Sequence, residues 1–261
     1  MKPTVGVFGL SGCWGEQIVI LNCEDDLLKV LGAVDFVDFL GASSKNDRER
    51  RLDIAFVEGS VAGPAQEAAL RRIRERSALV VACGSCACFG GISAMEGPLT
   101  RTQMAEVVYG ADPPPYDLSP HRPIGDLVKV DVAIPGCPME KEEFLRAVAS
   151  LLNGDVPEHA RYPVCADCKL REQDCLLISR GIACAGPVTV AGCGARCPGY
   201  NVPCIGCRGP VEEANIASLQ QILAGTGIGE PDLWRRLRTF AQPAIEAESS
   251  GVHLAHPERT R

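Results

Sequence analysis

The chain has 261 residues, 46% of them apolar, and its 26 basic and 33 acidic side chains leave a net charge of −7. That apolar fraction suffices for a core and excludes a disordered chain, and the length allows one large domain or two smaller ones. The acidity argues against nucleic acid as a partner, and the apolar runs, such as residues 78–82, are far shorter than the roughly 20 residues of a membrane-spanning helix.

The first residues, Met1-Lys2-Pro3-Thr4, lead straight into an apolar strand at 4–8. With no cationic segment, long apolar stretch or cleavage site, the expected location is cytoplasmic. Residues 17–31 place Ile18, Leu21, Leu28 and Leu31 at helical spacing. Residues 34–39 and 53–57 read as strands. Residues 64–76 read as a helix with Pro64 in its first turn, where proline is tolerated. Residues 78–82 and 128–134 are further strands, and 140–152 an amphipathic helix. Strands alternating with helices predict an α/β fold, a doubly wound parallel sheet with right-handed crossovers. From about 160 to 210, Cys, Gly and Pro replace any periodicity. Such a segment is expected to build no core from side chains alone, so that metal clusters cross-link it. Short helices follow at 212–223 and 232–240. The polar stretch 246–261 is expected to be mobile.

Fourteen cysteines are the anomaly. Disulfides are rare in a reducing cytosol, and packing as small apolar residues accounts for two or three thiols. Cys13, Glu58, Cys83, Cys86 and Cys137 each follow the carboxyl end of a predicted strand, the edge where open α/β sheets bind ligands. Neighbouring glycines let the backbone approach closely. Residues distant in sequence thus converge on one iron–sulfur site. The remaining run is Cys165-Ala-Asp-Cys168, Cys175, Cys184, Cys193, Cys197 and Cys204-Ile-Gly-Cys207. Eight thiols make two four-ligand sites, and C-x-x-C pairs suit iron–sulfur clusters and zinc ribbons alike. In two-cluster ferredoxins the last cysteine of one run serves the other cluster. By that logic Cys165, Cys168, Cys175 and Cys207 form one set, and Cys184, Cys193, Cys197 and Cys204 the other. Cys23 and Cys88 read as packing thiols. The four histidines lack ligand spacing, and the basic run 71–76 reads as a solvated helix face.

Several motifs carry a family resemblance: Gly12-Cys13-Trp14-Gly15, Phe56-Val57-Glu58-Gly59-Ser60, Gly84-Ser85-Cys86-Ala87, Pro135-Gly136-Cys137-Pro138, Gly192-Cys193-Gly194-Ala195-Arg196-Cys197-Pro198 and Cys204-Ile205-Gly206-Cys207-Arg208-Gly209-Pro210. Over residues 3 to about 225 the chain resembles the small subunit of cytoplasmic [NiFe] hydrogenases of the F420-non-reducing and sulfhydrogenase type. It is also related to the 20 kDa iron–sulfur subunit of respiratory complex I. The resemblance implies a flavodoxin-like domain (1–157) with a proximal [4Fe-4S] cluster. A ferredoxin-like iron–sulfur region (158–212) with two more clusters follows, then C-terminal helices and tail (213–261). It implies an electron-transfer subunit of an oxidoreductase, with no substrate-activating site of its own. Its partners would be a hydrogenase-type large subunit and a flavin or iron–sulfur subunit, a heterodisulfide-reductase-linked one included. One departure stands out. The family begins with Cys-x-Gly-Cys, whereas this chain reads Cys13-Trp14-Gly15-Glu16. Cys86 and Cys137 match the family's third and fourth proximal ligands. The missing ligand is then Glu16, Cys83 or Glu58, in that order. Two other readings stay open: the same relay beside a large subunit lacking nickel and iron, and a zinc-binding scaffold.

Overall fold

The computed structural model describes residues 2–110, 112, 118–225 and 230–249. Five strands form one parallel sheet: β1 (Thr4–Gly9), β2 (Asp35–Phe39), β3 (Leu52–Glu58), β5 (Ser77–Cys83) and β7 (Val132–Ile134), in the order β2-β1-β3-β5-β7. This is the doubly wound order of flavodoxin-like sheets, with its switch point between β1 and β3. A separate two-stranded ribbon pairs β4 (Val61–Ala62) with β6 (His121–Arg122).

The central strands are apolar along their whole length because both faces are covered. On one face Val5, Val7, Ile54, Phe56 and Val81 pack with α1 (Gly15–Leu21), α2 (Asp25–Ala33) and α6 (Lys141–Leu152). Phe56 meets the fully buried Phe144 of α6 edge-on, with ring centroids 5.2 Å apart. On the other face Ala55, Val57, Val80 and Ala82 pack against Leu70 and Ile73 of α3 (Gly63–Arg76).

Four expectations change. The single helix at 17–31 is two, because the chain turns at Cys23 and Glu24, where Glu24 takes φ 53°. The strand at 128–134 shrinks to three residues. Val128 is held in a turn by Ile124, and the Asp131 carboxylate takes the Val80 N–H. The basic run is no plain solvated face, since Arg74 pairs with Asp131 and Arg76 with Asp38, locking α3 to the sheet. Finally, the cysteine-rich segment does share a side-chain core. Val164, Leu177, Ala183, Val188 and Ala195 pack with Ile216, Leu219 and Leu223 of α10 (Ile216–Ala224) and with Leu237, Ala241 and Ile245 of α11 (Glu230–Ser249). The late helices supply the apolar faces that the segment lacks. α11 kinks at Ala241, two residues before Pro243. Residues 250–261, most of the stretch expected to be mobile, lie outside the described residues. Among those described, no helix is long and apolar enough to cross a membrane.

Candidate metal centres

The carboxyl edge of the sheet gathers the first group. After β1 the chain turns through Trp14, which takes a left-handed φ of 67°, a conformation few non-glycine residues adopt. This turn leaves Cys13 exposed and directs Glu16, in the first turn of α1, into the interior. Glu58 ends β3 and is equally buried. The ligand atoms of Cys13, Glu16 and Glu58 lie within 4.8 Å of one another. Gln17 Nε2 donates to Glu58 Oε2 at 3.1 Å, while Glu58 Oε1 is buried with no N–H or hydroxyl donor. Burial, and then the facing Glu58 charge, pushes the Glu16 carboxyl up to about 7. Two carboxyl groups held dry beside a thiol form a donor set suited to a cation, since buried charge is tolerated when it is paired or coordinates metal.

Cys86, on α4 (Gly84–Phe89), and Cys137, just past β7, complete this group. Burial, followed by the charges of Glu16 and Cys13, pushes the Cys86 thiol up to about 11. Burial, then Cys86, Glu16 and Cys13, pushes Cys137 up to about 12. Thiols crowded this way hold their protons until a metal displaces them. Two glycines keep the space clear. A Cβ on Gly84 would sit 2.8 Å from Glu16 Cγ, and one on Gly91 2.8 Å from Cys86 Cα. Cys83 is placed differently. It is fully buried, packs in the core and directs its Sγ toward the Val81 carbonyl at 3.8 Å. Cys88 turns toward the Ala82 carbonyl and Cys23 toward that of Val19.

A second group lines a cavity of about 30 Å³. Its walls include Cys165 and Cys168 of α7 (Val164–Leu170), Cys175, Cys184, Gly186 and Pro187. Burial, and then the neighbouring Cys184, Cys175 and Cys168, pushes the Cys165 thiol up to about 11. Cys207 does not line this cavity. The lining thus contains Cys184 where the set drawn from ferredoxin spacing has Cys207. Cys207 is drawn the other way: the Ser85 hydroxyl donates to its carbonyl, and the Cys137 backbone offsets part of the rise that burial imposes on its thiol.

The remaining thiols, the third group, have neighbours in both other groups, Cys207 beside Cys137, and Cys197 and Cys204 beside Cys184. Burial raises the Cys207 thiol, with Cys193 and Cys197 adding to the effect. Cys204, pushed up to about 12 by burial, neighbours both Cys184 and Cys207. Its N–H donates to Cys184 Sγ at 3.2 Å.

Sequence reasoning cited Ser85 and Arg208 only as motif residues and passed over Glu143; the three join the first group to the third. Arg208 and Glu143 form a buried ion pair. One signal was available. Glu143 shares a helix face with the buried Ala147, so its carboxylate had to find a buried partner.

Residues 13–151 match the family described as NADH ubiquinone oxidoreductase, 20 Kd subunit. The chain is 39% identical over 239 residues to sulfhydrogenase 2 subunit delta of Pyrococcus furiosus, covering 91% of this chain and 99% of that protein. It is 30% identical over 272 residues to a subunit of the vhu F420-non-reducing hydrogenase of Methanocaldococcus jannaschii, covering 92% of this chain and 94% of that one. Among solved structures, a chain of the actinobacterial-type NiFe-hydrogenase from Ralstonia eutropha H16 superposes with a TM-score of 0.61 at 16% identity, covering 100% of this chain and 93% of that one, a likeness of fold.

Proposed function

Because this chain belongs to the family of the 20 Kd subunit of NADH ubiquinone oxidoreductase, we propose that it is the electron-transfer subunit of a [NiFe]-hydrogenase-type oxidoreductase complex, with three [4Fe-4S] clusters along its length. The observation that carries this reading is the succession of thiol groups, running from the sheet edge through Cys193, Cys197, Cys204 and Cys207 to the four-thiol cavity. A cluster bound at each group supplies reversible one-electron transfer. Cys13, Cys86 and Cys137 would hold the first, with Glu16 as the fourth donor and Glu58 beside it as the alternative. Cys193, Cys197, Cys204 and Cys207 would hold the second. Cys165, Cys168, Cys175 and Cys184 would hold the third. The chain's own contribution is to fix these thiols, exclude water from Glu16 and Glu58, and keep the groups in line. A hydrogenase-type large subunit would meet the sheet edge, and a flavin or iron–sulfur subunit the cavity end. Residues 1–157 would then serve the first site and 158–212 the other two, and within 213–261 the helices α10 and α11 would brace them.

The test is anaerobic purification with the co-purifying large subunit. About twelve irons per chain, the total for three four-iron clusters, and nickel in the partner are expected. A colourless, zinc-loaded chain would overturn the relay. A second reading keeps the relay but removes nickel and iron from the partner. It is favoured by Glu16, which stands where the family carries a cysteine next to the large subunit, and intact clusters without nickel would establish it. For the fourth ligand, Glu16→Cys and Glu16→Ala should each change iron content or redox spectra. Unchanged spectra in both would remove Glu16 from the ligand set.

A further inference from the structure

A buried ion pair occupies the seam between the first thiol group and the group of Cys193, Cys197, Cys204 and Cys207, the second site of the proposed relay. Arg208 is 2% exposed and Glu143 5%. The guanidinium donates through Nη1 to the Pro135 carbonyl at 2.7 Å, through Nε to the Ala191 carbonyl at 2.9 Å, and through Nη2 to Glu143 Oε1 at 2.8 Å. Pro135 lies two residues before Cys137, Ala191 two before Cys193, and Arg208 directly follows Cys207. One planar fork thus grips the backbone of both groups. Gly192, at φ 122°, makes room for it, since a Cβ there would sit 2.9 Å from the guanidinium carbon. Buried ion pairs are weak stabilisers, because desolvation offsets their attraction. What this one fixes is therefore its more informative property.

We propose that Arg208, balanced by Glu143, is a positioning residue for electron transfer, which holds the Cys137 segment against the Cys193 and Cys207 segments and whose paired charge sets the relative potential of the two sites. The inference rests on the relay reading above. An electron crossing the seam oxidises the donor site by one electron and reduces the acceptor by one, and no bond forms or breaks. Each reduction adds negative charge, so the sign of the nearby fixed charge matters. Removing Arg208 leaves the buried Glu143 carboxylate with only His159, 3.8 Å away, beside it, and disfavours reduction of the second site. Removing the Glu143 charge strands the guanidinium and favours it.

The experiment is an EPR-monitored redox titration of the anaerobically purified complex. Arg208→Gln should lower the potential assigned to the second site, and Glu143→Gln should raise it. Each should shift the one-electron equilibrium by about tenfold, about 59 mV. The double variant should return close to wild type. Arg208→Lys keeps the charge but not the fork, and should hold the potential while weakening the spin–spin coupling between the two sites. Should Arg208→Gln fail to assemble, the upward shift of Glu143→Gln carries the sign. Shifts of one direction in both single variants, or none in either, would overturn the inference. No second-site signal in the wild-type complex would overturn the relay reading as well, which separates the two failures.

Discussion

Gly84 offers a direct perturbation of the first site. It takes φ 79°, and a Cβ there would sit 2.8 Å from Glu16 Cγ and closer still to the carboxyl group. Gly154 takes nearly the same φ, 77°, with nothing within 4 Å of its would-be Cβ. Gly154→Ala therefore isolates the backbone penalty, about 1–2 kcal/mol for an L-residue in the left-handed region. Gly84→Ala adds the eviction of Glu16 from a packed site, an overpacking cost of about 1–3 kcal/mol. Taking about 2 kcal/mol for the difference, Gly84→Ala should melt about 4–8 °C below Gly154→Ala. Thermal unfolding of the anaerobic complex reads this, and iron analysis with EPR reads the site. The first-site signal should be lost or altered in Gly84→Ala and intact in Gly154→Ala. Equal melting temperatures together with an intact first-site signal in both would refute the argument that Gly84 exists to seat Glu16.

The cysteine partition is tested by serine variants. Cys184→Ser and Cys165→Ser should perturb one EPR signal and Cys207→Ser another, whereas a signal shared by Cys165 and Cys207 would restore the ferredoxin-type partition. Phe144→Ala empties a fully buried site against Phe56, and should cost about 3–5 kcal/mol in denaturant unfolding. A loss below about 1 kcal/mol would mean the sheet face repacks. Asp131 gives a pH dependence. Burial raises its carboxyl, but the Val80 N–H and the Arg74 and Lys129 cations outweigh this and hold it below its ordinary value. Its contribution is therefore present above the unfolded value near ~3.9 and fades as pH falls through the folded one. The stability gap between wild type and Asp131→Asn, measured by denaturant midpoints, should shrink below about pH 4. A constant gap would contradict the assignment.

By itself the sequence determined the α/β alternation, the apolar strands, and the placement of Cys13, Glu58, Cys86 and Cys137 at strand ends, because strand periodicity and the carboxyl edge of a parallel sheet follow from local pattern. It also exposed the substitution at Glu16, since a ligand motif is a short-range feature. Its picture of residues 160–210 failed for the opposite reason. The apolar faces that cover Val164 and Val188 come from Leu219 and Leu237, far along the chain, and no local pattern announces them. The partition of the thiols is likewise not a local property. Counting cysteines gives eight ligands, but whether Cys184 or Cys207 faces the cavity depends on where Ser85 and Cys137 pull the chain. The inward turn of the Cys83 thiol at the end of β5, the dry juxtaposition of Glu16 with Glu58, and the Arg208–Glu143 seam were decided by the tertiary structure alone. Each depends on a side chain's direction or on a partner more than 40 residues away, and burial and charge pairing are properties of the packed molecule that local sequence does not carry.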